Sequence, residues 1–120
     1  MRLLVLTLAL MLFGLAAPAV PASAAVMDDC SHAATIPSLR TCVQHALDHG
    51  HIDSHAIARS LLAKLDAAQT ALDRGQTSVA VRKLESFVRK VDAQTGKHIA
   101  AEHAAHLRMQ AEAVIAALGG

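Results

Sequence analysis

The sequence predicts an all-α fold: a small up-and-down four-helix bundle built around a helical hairpin and stapled by one disulfide. The hairpin spans residues 54–99, where two long amphipathic patterns are separated only by residues 75–77. A link this short makes consecutive helices antiparallel neighbours. Two further amphipathic segments flank the hairpin, and the disulfide is expected between Cys30 and Cys42, which precede it.

The two helices of the hairpin are predicted from the spacing of their apolar residues. These residues recur mainly at steps of three or four, which places them on one face of an α-helix. Ser54 is a suitable N-cap for the first helix, and Gly75 suits the left-handed position after its last turn. Gln76 or Thr77 begins the second helix, and Gly96 ends it. The predicted core faces are Ile57, Leu61, Leu65, Ala68 and Leu72 in the first helix, and Ala80, Leu84, Phe87, Val88 and Val91 in the second.

The two outer helices follow from the same spacing. One is predicted from near Thr35 to Gly50, with Pro37 in its first turn, where proline is tolerated. Residues 51–53 link it to the hairpin, and the last helix begins near Ala101. The predicted apolar faces are Ile36, Leu39, Val43, Ala46 and Leu47, with Cys42 at the edge, in the first, and Ala104, Leu107, Ala111, Val114, Ile115 and Leu118 in the last.

The first 24 residues have the pattern of a secretory signal peptide. Arg2 gives a positive start, residues 3–17 are uncharged and largely apolar, and three small residues end at Ala24. We expect cleavage after Ala24, which leaves residues 25–34 as an N-terminal arm and delivers the mature protein to the periplasm or the exterior. The alternative, an uncleaved membrane anchor, is disfavoured because the apolar run is short for a span of about 20 residues.

The mature chain has no net charge to suggest a nucleic-acid or membrane partner. Eleven basic residues less Arg2 leave ten, which equals the ten acidic residues when histidine is neutral. Such a balance gives no electrostatic basis for binding nucleic acid or an anionic membrane. The mature length supports one core, and we expect a monomer.

The cysteine pair predicts a disulfide. Export places Cys30 and Cys42 in an oxidising compartment, where an even count of cysteines indicates a bridge. Closing a loop of this size contributes about 3 kcal/mol by the chain-entropy estimate. A disulfide-linked dimer is the alternative pairing, whereas a CxxC-type redox or zinc site does not fit the eleven-residue gap.

Much of the chain resembles a known module. The motifs that carry the resemblance are HALDHGHIDSHAIA at residues 45–58, SLLAKLDAA at 60–68, ALDRG at 71–75, the spacing of Ala80, Leu84 and Phe87, and QTGKHI at 94–99. Together they resemble the FIMAH domain, a helical module found on bacterial secreted hydrolases and other exported proteins, over about residues 39–118. The resemblance implies an accessory or interaction module and supplies no catalytic residues. The cysteine pair is not part of that pattern.

Four of the eight histidines are candidates for a metal site. They lie close together in sequence, around the turn between the first two helices: His45, His49, His51 and His55. Grouped imidazoles could bind Zn²⁺, Cu²⁺ or Ni²⁺, which makes a histidine-mediated metal-binding protein of the cell envelope the alternative function. The competing interpretation is a solvated turn, because no established ligand spacing is matched. His103 and His106 lie outside any HExxH pattern and are expected on a solvent-facing flank.

No arrangement typical of catalysis is present in the sequence. No serine lies in a G-x-S-x-G elbow, and Ser54 is better explained as a helix cap. No carboxylate pair is marked as acid and base, and no cofactor is indicated. We therefore expect a protein that is not an enzyme.

The surface predicted to meet a partner is a basic stripe on the third helix. Arg82 and Arg89 repeat at seven residues, as do Lys83 and Lys90, so the four point in similar directions away from the apolar face. A solvated face with local charge pairing is the simpler interpretation. The functional one is docking of an acidic extracellular protein or polysaccharide. Stacking on sugar rings is not expected, because Phe87 is the one Phe, Tyr or Trp of the mature chain and lies on the core face.

Overall fold

Four helices follow one another along the part of the chain that the computed structural model describes, Cys30 and residues 33–120. This range contains no strand, and the predicted all-α bundle is confirmed. The predicted signal peptide, residues 1–24, and most of the predicted arm lie outside the described residues. The helices are α1 (Ile36–Asp48), α2 (His55–Asp73), α3 (Thr77–Gln94) and α4 (Ala101–Ala117).

The first two helices begin where the sequence predicts, α1 after Thr35 and α2 after the predicted cap Ser54. The hydroxyl of Thr35 accepts a hydrogen bond from the Ser38 amide at 3.3 Å, and that of Ser54 accepts one from the Ile57 amide at 3.3 Å. Each satisfies an amide that has no partner within the first helical turn. Pro37 lies in the first turn of α1.

The turn of the hairpin and the end of α3 depend on glycines in a left-handed conformation. Gly75 has φ 75°, as expected of the residue after α2. The sequence places the end of α3 at Gly96, but the helix ends at Gln94 and Gly96, with φ 76°, lies inside a tight corner. The Gln94 carbonyl accepts from the amides of three following residues, at 3.0, 3.1 and 3.1 Å. These bonds tighten the chain before α4.

Each helix packs on its neighbours in sequence, and α1 contacts α4 to close the ring. Phe87 is fully buried at the centre of a core that is otherwise aliphatic and rich in alanine. Alanine lets helices approach closely but buries little area per residue. Six of the predicted core residues are only partly buried at the edge of this core: Leu47, Ile57, Leu72, Val88, Ile115 and Leu118.

Two isoleucines outside the helices belong to the core, which the sequence pattern does not indicate. Ile52, in the link after α1, and Ile99, in the corner after α3, are each 1% exposed. They pair through an isolated antiparallel bridge. The Asp53 amide donates to the His98 carbonyl at 3.0 Å, and the Ala100 amide donates to the His51 carbonyl at 2.8 Å. The two irregular segments therefore close one end of the bundle.

The predicted disulfide between Cys30 and Cys42 is present. Its Cα atoms are 4.7 Å apart, within the usual range for such bridges. The sequence places Cys42 at the edge of the apolar face of α1, but its side chain is 3% exposed and belongs to the core. The bridge thus ties the segment before α1 directly to the hydrophobic interior.

Candidate functional site

A groove with basic walls runs between α2 and α3. Lys64 contributes from α2, and Arg82, Lys83 and Arg89 contribute from α3. The groove has a volume of about 540 Å³, and no Asp or Glu lines it. We call these four residues and the space between them the basic groove. Three of the four residues of the predicted stripe therefore meet in one depression.

Lys90, the fourth residue of the predicted stripe, does not line the basic groove. It is half-buried, whereas Arg82, Lys83 and Arg89 are exposed. Its place is taken by Lys64, which the sequence pattern of α3 alone could not identify. The signal that could have found Lys64 is the short turn at Gly75, because it makes α2 and α3 antiparallel neighbours and sets their flanks side by side.

The carboxylates of α3 lie outside the basic groove, although they share a neighbouring depression with Arg89. Glu85 and Asp92 line this second depression, between α3 and α4, together with Arg89 and Arg108. Asp92 accepts two hydrogen bonds from the Arg108 guanidinium, at 2.8 and 2.9 Å. On α2, Asp66 forms an ion pair with Arg40 of α1. The four cations of the basic groove form no ion pair with any residue in the described part of the chain.

A second feature is a row of imidazoles at the end of the bundle that carries the Ile52–Ile99 pair. The ring centroids of His45 and His49 are 4.0 Å apart, those of His49 and His51 6.4 Å, and those of His51 and His103 3.5 Å. We call these four residues the histidine column. It spans the end of α1, the link after it and the first turn of α4.

The histidine column differs from the predicted cluster in two residues. His55 is exposed at the start of α2 and has no ring contact with the other histidines described. His103, expected on a solvent-facing flank, is half-buried against His51. Only the folded chain brings His51 and His103 together, because they are far apart in sequence.

The surroundings of His103 lower the pKa of its imidazole. Burial is the largest cause, and the neighbouring imidazoles of His51, His106 and His45 act in the same direction, while Glu102 opposes them. A charged imidazole is less well hydrated there and lies among groups that can also become positive.

The stacked geometry does not support the alternative of a metal site at the predicted histidines. Among Cys30 and residues 33–120, no group of three or more His, Cys, Asp or Glu side chains is placed to hold a metal ion. His49 uses its Nδ1 in a 3.1 Å contact with the His45 carbonyl.

Fold and site together define a class: a small disulfide-stapled helical bundle with a solvent-exposed basic groove. None of its described helices has the length and apolar character needed to cross a membrane. The model of the FIMAH domain family matches residues 36–116, most of the chain. The chain therefore belongs to the FIMAH domain family, as its motifs indicate. No curated protein and no solved structure matches it.

Proposed function

We propose that this protein is a secreted, non-catalytic accessory module that binds an acidic extracellular protein or polymer in its basic groove. The observation that carries the proposal is the basic groove, in which Arg82, Lys83 and Arg89 face Lys64 with no carboxylate among the lining residues. Cations gathered without counter-charges on the protein attract an anionic partner. Membership of the FIMAH domain family supports an accessory role.

The charge distribution around α3 supports specific docking over a uniformly solvated face. The charged residues lining the depression on the α2 side are all cations, whereas the depression on the α4 side carries both signs, with Glu85 and Asp92 beside Arg89 and Arg108. The predicted mature chain, which is neutral overall once Arg2 is removed, therefore presents a local positive field. Such a field acts over about 8 Å at physiological ionic strength. Binding should accordingly be sensitive to salt.

A role outside the cytoplasmic membrane fits the disulfide and the amino-terminal pattern. Disulfides such as Cys30–Cys42 persist mainly in oxidising compartments. A non-catalytic role fits the polar groups of the basic groove, which are cations and the hydroxyls of Ser60 and Ser86, without an acid–base pair. Ser54 serves as the cap of α2.

The proposal is tested by capture of acidic extracellular material. The anionic fraction of the medium in which the protein is naturally produced is immobilised, and retention of the exported protein is measured at low and high salt. The variant Arg82→Gln, Lys83→Gln, Arg89→Gln should lose retention, because it removes three of the four groove cations. Retention of the unmodified protein should fall with salt.

A matched control removes three cations that lie outside the basic groove. The variant Arg59→Gln, Arg74→Gln, Lys97→Gln changes the net charge equally and should keep retention. Lys90→Gln, tested alone, should have little effect. If the groove variant keeps its helical circular dichroism and melting temperature and is still retained like the unmodified protein, the basic groove is not the docking site.

A further inference from the structure

The cations of the basic groove are distributed along its length and on both walls. Arg82 and Arg89 are seven residues apart on α3, which corresponds to about 10 Å along the helix axis. Lys83 lies beside the first of these, and Lys64 faces them from α2. A single small anion could meet only part of this set. An extended chain with repeated anionic groups could meet all of it.

The lining of the groove between the cations consists of small side chains, two of which carry hydroxyl groups. Ser60, Ala63, Ala67 and Ser86 are among its residues. Short side chains let a polymer approach the helix surfaces closely. The two serine hydroxyls can each donate one hydrogen bond and accept others, which suits the hydroxyl groups of a sugar.

The groove offers a protein partner arginines but no aromatic or large apolar anchor. The residues that dominate protein interfaces are Trp, Tyr and Arg, and they act from well-packed pockets that exclude water. The largest apolar residue lining the groove is Val79. Among the described residues the one large hydrophobic side chain that is exposed is Met109, on α4 and outside the groove.

The groove also lacks the aromatic surface that would bind a neutral polysaccharide. Recognition of sugar rings by stacking needs an exposed aromatic face, and Phe87 is 0% exposed. The polar groups that the groove offers to a ligand are cations, with serine hydroxyls beside them. We propose that the groove between α2 and α3 binds a linear anionic polysaccharide, with Lys64 as a direct contact on the α2 wall. This proposal rests on the proposed function and narrows its acidic partner to one class.

The experiment compares polymers that differ in charge, in anionic group and in backbone. The exported protein is titrated calorimetrically with dextran sulfate, dextran, polygalacturonate and polyglutamate. Ionic strength is set near 0.01 M, where the Debye length is about 30 Å, and near 0.15 M, where it is about 8 Å. Dextran sulfate and dextran share a backbone, polygalacturonate is a carboxylated polysaccharide with a different backbone, and polyglutamate is a carboxylated polypeptide.

Dextran sulfate or polygalacturonate should bind more tightly than polyglutamate, and dextran should not bind. Lys64→Gln should weaken polysaccharide binding about threefold to tenfold, the loss expected of one charge-assisted contact. The matched control is Arg59→Gln, which removes a cation from the same helix outside the groove and should bind as the unmodified protein does.

The outcomes separate this inference from the proposed function. If polyglutamate binds at least as tightly as both anionic polysaccharides, or if Lys64→Gln and Arg59→Gln behave alike, the polysaccharide site is overturned while an acidic partner still stands. If none of the three anionic polymers binds at the lower ionic strength, the proposed function fails together with the inference.

Discussion

The imidazole of His51 stacks on that of His103, with ring centroids 3.5 Å apart and planes inclined by 12°. His51 belongs to the link after α1, and His103 to the first turn of α4. The contact therefore ties two segments that meet at the closed end of the bundle, next to the Ile52–Ile99 bridge. When both rings are neutral the contact is apolar and favourable. When both are protonated it brings two positive charges together.

This contact predicts that stability falls in mild acid. The pKa of His103 is lowered in the folded protein, first by burial and then by its imidazole neighbours. The unfolded chain therefore takes up a proton at higher pH than the folded chain. Stability attributable to this residue is present above the unfolded pKa and is lost as the pH falls towards the lowered folded pKa.

The measurement is the melting temperature at pH 7.5 and at pH 5.5, pH values chosen as about one unit on either side of the ordinary histidine pKa of about 6.5. In His103→Gln the fall in melting temperature between the two should be smaller than in the unmodified protein. His55→Gln is the control, because His55 is exposed and outside the histidine column. An equal fall in His103→Gln and the unmodified protein would exclude His103 as the source of acid sensitivity.

Loss of the disulfide should destabilise the bundle by about 2–3 kcal/mol, which corresponds to roughly 10–20 °C in melting temperature for a domain of this size. Cys30→Ser is the informative change, because Cys30 is at the periphery whereas Cys42 is 3% exposed and its replacement would also leave a cavity. Thermal melting with and without a thiol reductant measures the effect. Reductant should lower the melting temperature of the unmodified protein to near that of Cys30→Ser and leave the variant unchanged. Equal melting temperatures for all four samples would mean that the bridge does not stabilise the fold.

The exported protein should begin at Ala25. N-terminal sequencing of protein recovered outside the cytoplasmic membrane measures this directly. Ala24→Leu should block processing, because signal cleavage requires small residues before the cut, whereas Ala17→Leu, inside the apolar run, should be processed normally. Recovery of a membrane-embedded chain that begins at Met1 would contradict the prediction.

The helices could be predicted from sequence because their determinants are local. Apolar spacing, the start of α1 near Thr35, the cap Ser54 and the left-handed Gly75 depend on one or two turns of the chain, and the structure confirms each of them. The same information predicts an antiparallel hairpin, since a short turn leaves no other arrangement. The cysteine pair could be predicted because two cysteines allow one intramolecular pairing.

What the sequence could not supply depends on contacts between distant segments. Ile52 and Ile99 lie in short irregular stretches that have no periodicity, so only their pairing buries them. Likewise, Lys64 joins the basic groove through the packing of α2 on α3, and His103 joins the histidine column through the position of α4. The basic groove was therefore predictable in part: the sequence identifies its three cations on α3, but not Lys64, which faces them from α2.

The Ile52–Ile99 pair should act as one energetic unit. Each residue is 1% exposed, so Ile52→Ala or Ile99→Ala should cost about 2–4 kcal/mol through lost burial and the cavity that remains. The backbone bridge sets the two residues opposite one another, so removing the second side chain should cost less once the first is gone. Unfolding of the single and double variants in urea measures this coupling, which should exceed about 0.5 kcal/mol.

A distant pair provides the control for that coupling. Val79, in the first turn of α3, is separated from Ile52 by the length of α2, roughly 28 Å at 1.5 Å per residue. Ile52→Ala and Val79→Ala should therefore be additive within about 0.5 kcal/mol. If the Ile52 and Ile99 changes are as additive as this control pair, the two irregular segments stabilise the bundle separately. Coupling confined to the isoleucines would show that the corner after α3 and the link after α1 stabilise the closed end of the bundle as a single structure.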